Sequence, residues 1–498
     1  LAVLPGDDRP DPRLDAFSTL PPETCARLDA YFRAGGPENL KNLLRCLAAE
    51  AGAAFEPEPP QALPRGFAWC PGCGPFSVEA AMQAAGPGPL ALLLVYRSAV
   101  LSGETAPAAR LAASLTERGI GCVTLAVSSL KDPEAVAVLR TALAARRPDI
   151  VLAATAFSAR DDAGFVLDAA ACPVIQAYTI GAPRDAWAAS GRGMNAADLA
   201  MQVALPEFDG RLSGFPISFK EEAEAVEGFS ERRAMPDPAG IAALADRAAA
   251  WIRLRRTPRE KRRLAMVLSD YPARGGRAGF AVGLDTPESA RALVSDLAEA
   301  GYATGTLPEP DALMQADFTV PLADYAAWLS ELPAALRYAL LEAWGEPADD
   351  PTCHGGLFRF RMATARAAHQ SLTADDHIQT LPQGTPVPSP AREGGHVASF
   401  ARRMTNAEAL VGRGGQLAVF LQPDRGRDPD RKAGYHDPDR VPTHAYLAFH
   451  LGLRRRFDAL VQLGTHGTTE WLPGKAVALS PDCVPALCVG GLPVIYPF

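Results

Sequence analysis

The feature that most constrains this chain is a regular alternation, from Ala91 onward, of short apolar runs with helix-length amphipathic segments. ALLLVY is followed by helical spacing over Thr105–Arg118, and CVTLAVS (122–128) by a helix over Pro133–Arg147. DIVLAATAF (149–157) leads to a helix near Asp162–Ala170 and then to the run PVIQAYTI (173–180). Short strands separated by helices of about 10–15 residues predict βαβ units and a parallel sheet. Right-handed crossovers then place helices on both of its faces.

The alternation resumes after a basic helical stretch, Ile241–Arg263. A strand is expected over 263–271, a helix over Thr286–Gly301 with Pro287 in its first turn, a strand at YATGTL, and helix over 321–345. The text then turns polar and Pro/Gly-rich, as in TLPQGTPVPSPAREGG, which reads as an exposed insertion. GQLAVFLQ (415–422), a helix over 442–456 and the strand ALVQLG (459–464) restore the pattern. The expected fold class is α/β: several parallel-sheet βαβ domains of Rossmann-like or flavodoxin-like type, with added helical segments. The expected division is an N-terminal helical and connecting segment (1–87), an α/β domain (88–235), a second α/β and helical domain (236–362), the insertion (363–414), and a final region (415–498).

With 498 residues, 48% of them apolar, the chain can bury sizeable cores, and global disorder is excluded. A net charge of -8 argues against a general nucleic-acid or anionic-membrane binder. The longest apolar run, Leu90–Tyr96, falls far short of the ~20 residues of a membrane span. No basic segment precedes an apolar one as in an export signal, so a cytoplasmic location is expected, with the nine cysteines as reduced thiols. Cys70-Pro-Gly-Cys73, the only close pair, reads as a turn. Both ends of the chain read as cut, the expectation being a fragment of something longer.

All eight histidines lie between His354 and His466. They concentrate on GYHDPDRVPTHAYLAFH, with His436, His444 and His450, and on GTHGTTEWLPGK, where Glu470 follows His466. Imidazole and carboxylate together suit an intermediate divalent metal, or a base accepting protons from a ligand being metallated. If the turn after Gly464 is helical, His466 and Glu470 share one face. The plainer alternative is that His466 bonds a loop and Glu470 caps a helix. HDPD is read as an Asp-rich turn, with a metal-facing turn as its rival. DYPARGGRAGFAVGLDTP puts Tyr271, Arg274 and Arg277 directly after a strand, at the edge where open α/β sheets bind ligands. These arginines either pair with ligand carboxylates or form an exposed basic loop. LPGKAVALS fails as a phosphate loop, because Thr469 stands where its first glycine belongs and Ala476 where Ser or Thr must follow the lysine.

Taken together these stretches resemble one family, the large subunits of aerobic cobaltochelatase and of magnesium chelatase. The most specific is GTHGTTEWLPGKAVALSPDCVPALCVGGLPVIYPF; LVYRSAVLSGET (94–105), MQVALPEFDGR (201–211), YPARGGRAGFAVGLDTP and YHDPDRVPTHAYLAFH support it in the same order. The resemblance implies ATP-dependent insertion of a divalent metal into a tetrapyrrole. Its cobalt branch, favoured by EWLPGKAVALS and by the opening LPGDDRPDP, implies Co2+ and hydrogenobyrinic acid a,c-diamide. ATP and Mg2+ would be used by partners, an AAA+ ATPase subunit and its integrin-like companion (CobS/CobT type), with no nucleic acid and no membrane span involved. It further implies His466 and Glu470 as catalytic and metal-handling residues, and His436 and His444 as further metal ligands. Lys475, Arg274, Arg277, Tyr271 and Trp471 become substrate contacts, with Lys475 equally a brace for its loop and core packing the favoured alternative for Tyr271 and Trp471. The alternatives are a magnesium chelatase acting on protoporphyrin IX, and a non-catalytic tetrapyrrole-binding α/β protein. The match departs at Gln462, where the cobalt branch usually carries histidine.

Overall fold

The computed structural model describes residues 1–5, 11–71, 74–162, 164–222, 230–269, 283–305, 316–364, 416–426, 437–464 and 468–497. They form two compact units: Leu1–Arg256 with Pro473–Leu492, and Thr257–Leu472 with Pro493–Phe498.

The first unit is built on strands β1 (Gly66–Cys70), β2 (Gly74–Phe76), β3 (Leu90–Tyr96), β4 (Gly121–Val127), β5 (Ile150–Ala153), β6 (Val174–Ile180), β7 (Leu212–Glu222) and β8 (Arg232–Pro236), in the spatial order β2-β1-β4-β3-β5-β6-β7-β8. The five strands from β4 to β7 are parallel. Their order, second-first-third-fourth-fifth, is that of a flavodoxin-like sheet. β3 shows why: Ala91, Leu93 and Val95 pack toward the helices Ala106–Glu117 and Pro238–Arg256, while Leu90, Leu92 and Leu94 pack toward Val78–Ala84 and Pro133–Ala145. Both faces are covered, so the strand reads as a continuous apolar run rather than an alternation. Each of its leucines is at most 1% exposed and contributes about 1.5–3 kcal/mol by burial.

The edges of this sheet were not legible in the same way. β1 and β2 form an antiparallel hairpin beside β4, and β8 pairs antiparallel with β7. β7 carries Gly214 and Pro216, which argue against a strand interior. Gly214 is required because a Cβ there would lie 2.0 Å from the Gln176 carbonyl oxygen, and Pro216 falls where the β6–β7 register shifts. The helix expected at Asp162–Ala170 is a 3-10 turn, Val166–Ala170, preceded by a bridge between Asp161 and Gly164. Cys70 is disulfide-bonded, which corrects the expectation of reduced thiols throughout; Cys25, Cys46, Cys122, Cys172, Cys353, Cys483 and Cys488 are free.

The second unit holds β9 (Leu264–Leu268), β10 (Ala316–Pro321), β11 (Cys353–His354), β12 (Leu357–Thr364), β13 (Leu417–Leu421), β14 (Ala459–Leu463) and β15 (Val494–Ile495), in the order β10-β12-β13-β9-β14-β15 with β11 on β12. β13, β9, β14 and β15 are parallel, and β10 and β12 are antiparallel. The helix His444–Arg456 is buried from His444 through Leu453, the pattern of a helix enclosed on all sides. Its Phe449 meets Phe318, Phe360 and Phe420 from the sheet. Gly452 permits the approach, since a Cβ there would stand 2.9 Å from a Val320 methyl.

Among the described part of YATGTL there is no strand; Gly301 and Gly305, at φ of 88° and 66°, bend the chain on either side of Ala303 and Thr304. The helical stretch 321–345 divides at Pro333 into Leu322–Ser330 and Ala334–Trp344. The expected insertion, apart from its first residues in β12, lies outside the described residues. No helix among the described residues is long and apolar enough to cross a membrane.

Candidate functional site at the carboxyl edge of the second sheet

β13, β9 and β14 run side by side in parallel and end at one level, Leu268 pairing with Leu421 on one flank and Leu463 on the other. The chain therefore leaves this edge at Ser269, Gln422 and Gly464. The next connection from β9 runs through β10 and β12 to β13 on one side, and β14 lies on the other. This reversal is a topological switch point, the place where open α/β sheets bind ligands. Two segments singled out in the sequence, 270–287 and 464–475, begin at this edge, and the third, 434–450, follows β13 by twelve residues. Tyr271, Arg274, Arg277, His436 and His466 belong to these three segments and lie outside the described residues.

Beneath the edge is a buried polar network. Gln462 Nε2 donates to Ser269 Oγ at 2.9 Å and to Gln422 Oε1 at 3.2 Å. Gln422 Nε2 donates in turn to Tyr446 Oη at 3.0 Å and to His450 Nε2 at 3.2 Å. His450 is 1% exposed, and burial pushes its imidazole pKa down to about 3, so it stays neutral and accepts. Gln462 thus has a structural role beneath the edge. Its amide joins three strand ends, giving a network whose members satisfy one another.

Arg425 is the residue that sequence reasoning missed. Only 2% exposed, it donates to the Trp471 carbonyl at 2.6 Å, the Asp437 carbonyl at 2.6 Å and the Arg440 carbonyl at 3.0 Å. One guanidinium thereby ties the described end of the YHDPD segment to the 3-10 turn Thr468–Trp471, which carries Glu470. In the sequence it sits in PDRGRDPDR, where it is one cation among several. Its only signal is its place just past a strand end. The Asp437–Arg440 segment is itself a turn, with the Asp439 amide donating to Asp437 Oδ1 at 3.0 Å. Thr443 continues the scaffold: its amide donates to the Arg425 carbonyl and its Oγ1 caps the following helix at the Tyr446 amide.

Glu470 is exposed on its turn, and Trp471 is half-buried beside it. The described turn is 3-10 rather than α, so the four-residue helical spacing to His466 is not carried by it. His444 is fully buried, with Nε2 donating to the Gly345 carbonyl at 3.0 Å and Nδ1 accepting from Tyr325 Oη at 2.8 Å. That tautomer follows because a carbonyl can only accept. No lone pair is left for a cation, and His444 is a core residue in this arrangement.

Lys475 belongs to the first unit. Its Nζ donates to the carbonyls of Trp187, Ala188 and Ser190 at 2.7, 3.0 and 2.8 Å and stands 4.5 Å from the Trp187 ring centroid. Burial pulls its pKa below the ordinary value. All three ammonium protons serve the end of the helix Arg184–Ala189, a bracing geometry at the negative end of a helix. Among the described residues no group of three or more His, Cys, Asp or Glu is arranged to hold a metal ion.

These features define a two-unit α/β protein with a switch point at the carboxyl edge of its second sheet. The CobN/Magnesium Chelatase family model matches residues 29–367 and 403–498, and the chain belongs to that family. It is 35% identical over its whole length to the aerobic cobaltochelatase subunit CobN of a Sinorhizobium species, of which it covers 38%. A solved structure, the catalytic subunit of cobaltochelatase from Mycobacterium tuberculosis, superposes with a TM-score of 0.74 at 29% identity, over 99% of this chain and 39% of that one. Similarity to a magnesium-chelatase subunit of Rhodobacter capsulatus is more distant, 27% over 62% of this chain and 24% of that protein. The chain thus spans well under half the length of its cobaltochelatase relatives.

Proposed function

We propose that this chain is part of the large subunit of an aerobic cobaltochelatase, acting in the cytoplasm. It takes hydrogenobyrinic acid a,c-diamide and Co2+ as substrates at the carboxyl ends of β13, β9 and β14. The observation that carries this reading is the start of two chemistry-bearing segments at the ends of the adjacent parallel strands β9 and β14, with Arg425, just past β13, bonding both Asp437 and the turn that carries Glu470.

Metal insertion requires stripping water from a divalent cation, holding it over the ring, and accepting the protons released by the macrocycle nitrogens. Glu470, an exposed carboxylate on a turn anchored by Arg425, suits proton acceptance and cation handling, with His466 as its companion and His436 as a further ligand. Arg274 and Arg277 serve the carboxylates of the corrinoid, and Tyr271 and Trp471 its apolar face. The geometry of His444 and Lys475 supports structural roles for both. ATP, with Mg2+, is hydrolysed by an AAA+ partner and its integrin-like companion, in keeping with the failed phosphate loop in this sequence.

The test is an absorbance titration of the metal-free diamide, with protoporphyrin IX as comparison, followed by Co2+ insertion with partners and ATP. Glu470→Gln is expected to keep ring binding and to lose insertion by at least about 100-fold, the scale of general acid–base catalysis. Preference for protoporphyrin would move the assignment to magnesium chelatase. Unchanged insertion in the variant would remove Glu470 from the chemistry.

A further inference from the structure

The first unit has a switch point of its own, independent of the edge assigned above. β4 lies on one side of β3, and the chain then crosses back to place β5 on the other. At the carboxyl ends of β3 and β5 opens a cavity of about 340 Å³. Its walls include Trp69, Val95, Pro107, Ala108 and Ile217, and Glu104 and Lys220 stand among them. Much of the lining comes from LVYRSAVLSGET (94–105), a stretch that the metal-insertion reading leaves without a role.

The loop that leaves β5 beside this cavity is held in place by two side chains. Tyr96 Oη donates to the Ala156 carbonyl at 3.0 Å, fixing the loop that leaves β5. In that loop Phe157 is held at φ 63° while 49% exposed. Phe157 lies beyond the cavity lining, and left-handed backbone at a bulky residue persists only where surroundings enforce it. The enforcing group is Arg211, whose fully buried guanidinium donates to the carbonyls of Thr155 and Phe157 and pairs with Asp209 at 2.7 Å.

We propose that this cavity binds a small ligand with an apolar body and a neutral amide head. The volume suits a body of one ring, and the walls named above are apolar over most of their extent. The head is set by the ion pair between Lys220 Nζ and Glu104 Oε1, whose side chains are 33% and 26% exposed. The pair offers one strong donor beside one strong acceptor. A carboxylate reaching Lys220 meets the like charge of Glu104, and an ammonium reaching Glu104 meets Lys220. A primary amide presents a carbonyl to the first and an N–H to the second, leaving neither partner's charge uncompensated.

The experiment titrates the full chain with benzamide, and with benzoate and benzylamine as isosteric charged controls, by ligand-observed NMR. Saturable benzamide binding, at least tenfold tighter than either control, is expected. Ala108→Phe fills the cavity and abolishes it. Glu104→Gln removes the like charge, so benzoate affinity rises at least tenfold over wild type. This second variant decides the matter if Ala108→Phe does not fold. No saturable benzamide binding, undiminished binding in folded Ala108→Phe, or unchanged benzoate affinity in Glu104→Gln overturns the proposal.

Discussion

Gly464 lies so close to Ser269 that a Cβ added to the glycine would stand 2.3 Å from Ser269 Oγ and 2.4 Å from its Cβ. The two residues directly follow β14 and β9, and each leads into a segment that carries candidate chemistry. Their contact, with the bond from the Ser269 amide to the Leu463 carbonyl at 2.9 Å, fixes where those two segments depart. The glycine that begins GTHGTTEW is there for the space it leaves empty.

Gly464→Ala should therefore destabilise the second unit by about 1–3 kcal/mol, the usual cost of overpacking. Adding Ser269→Gly removes both atoms that the new methyl would strike. The double variant should recover part of the loss even though the Gln462 bond to Ser269 is gone. Urea unfolding of the wild type, both single variants and the double variant closes the cycle. A coupling of zero would show that the close approach is not what demands glycine.

Arg425 yields a sharper local expectation. Its guanidinium serves carbonyls on two separate segments, and a lysine cannot reproduce that fork. Both Arg425→Ala and Arg425→Lys should release the Asp437–Arg440 turn and the Thr468–Trp471 turn. Hydrogen exchange is the readout: the amides of Asp439, Thr443 and Leu472, all bonded in the wild type, should exchange at least tenfold faster in both variants. Protection restored by lysine would mean that charge alone suffices.

The central strands and their helices were readable because burial on both faces leaves long apolar runs, as in β3. The edges escaped because their signals conflict: β7 contains Gly214 and Pro216 for reasons of register and close approach, and those residues ordinarily argue against a strand. The same holds at the candidate site. His466 and Glu470 stand out as residue types, whereas Arg425 and Gln462 gain their meaning only from strands brought together across the fold. His444 shows the converse, a conspicuous histidine whose two nitrogens are consumed by Tyr325 and Gly345.

Lys475 separates bracing from ligand contact by experiment. Lys475→Met removes three ammonium bonds and the stacking on Trp187, and should lower stability by about 1–2 kcal/mol for a partly exposed group. The fall should appear in thermal unfolding without any ligand present. A lysine acting only on substrate would leave the unfolding temperature unchanged and weaken ring binding instead.

His450 makes the second unit sensitive to acid. Its pKa falls from the ordinary 6.5 to about 3 because burial disfavours the imidazolium. Between these values the unfolded chain binds a proton that the folded one refuses, so stability rises with pH. The contribution is fully present above about 6.5 and is lost progressively as pH falls toward 3, at about 1.4 kcal/mol per pH unit. At pH 5 the loss is roughly 2 kcal/mol. His450→Gln keeps an acceptor for the Gln422 amide and abolishes the titration. Urea midpoints at pH 7 and pH 5 should lie closer together in this variant than in the wild type. An unchanged difference would mean that His450 takes up its proton without unfolding, and that the buried network beneath the switch point opens to admit it.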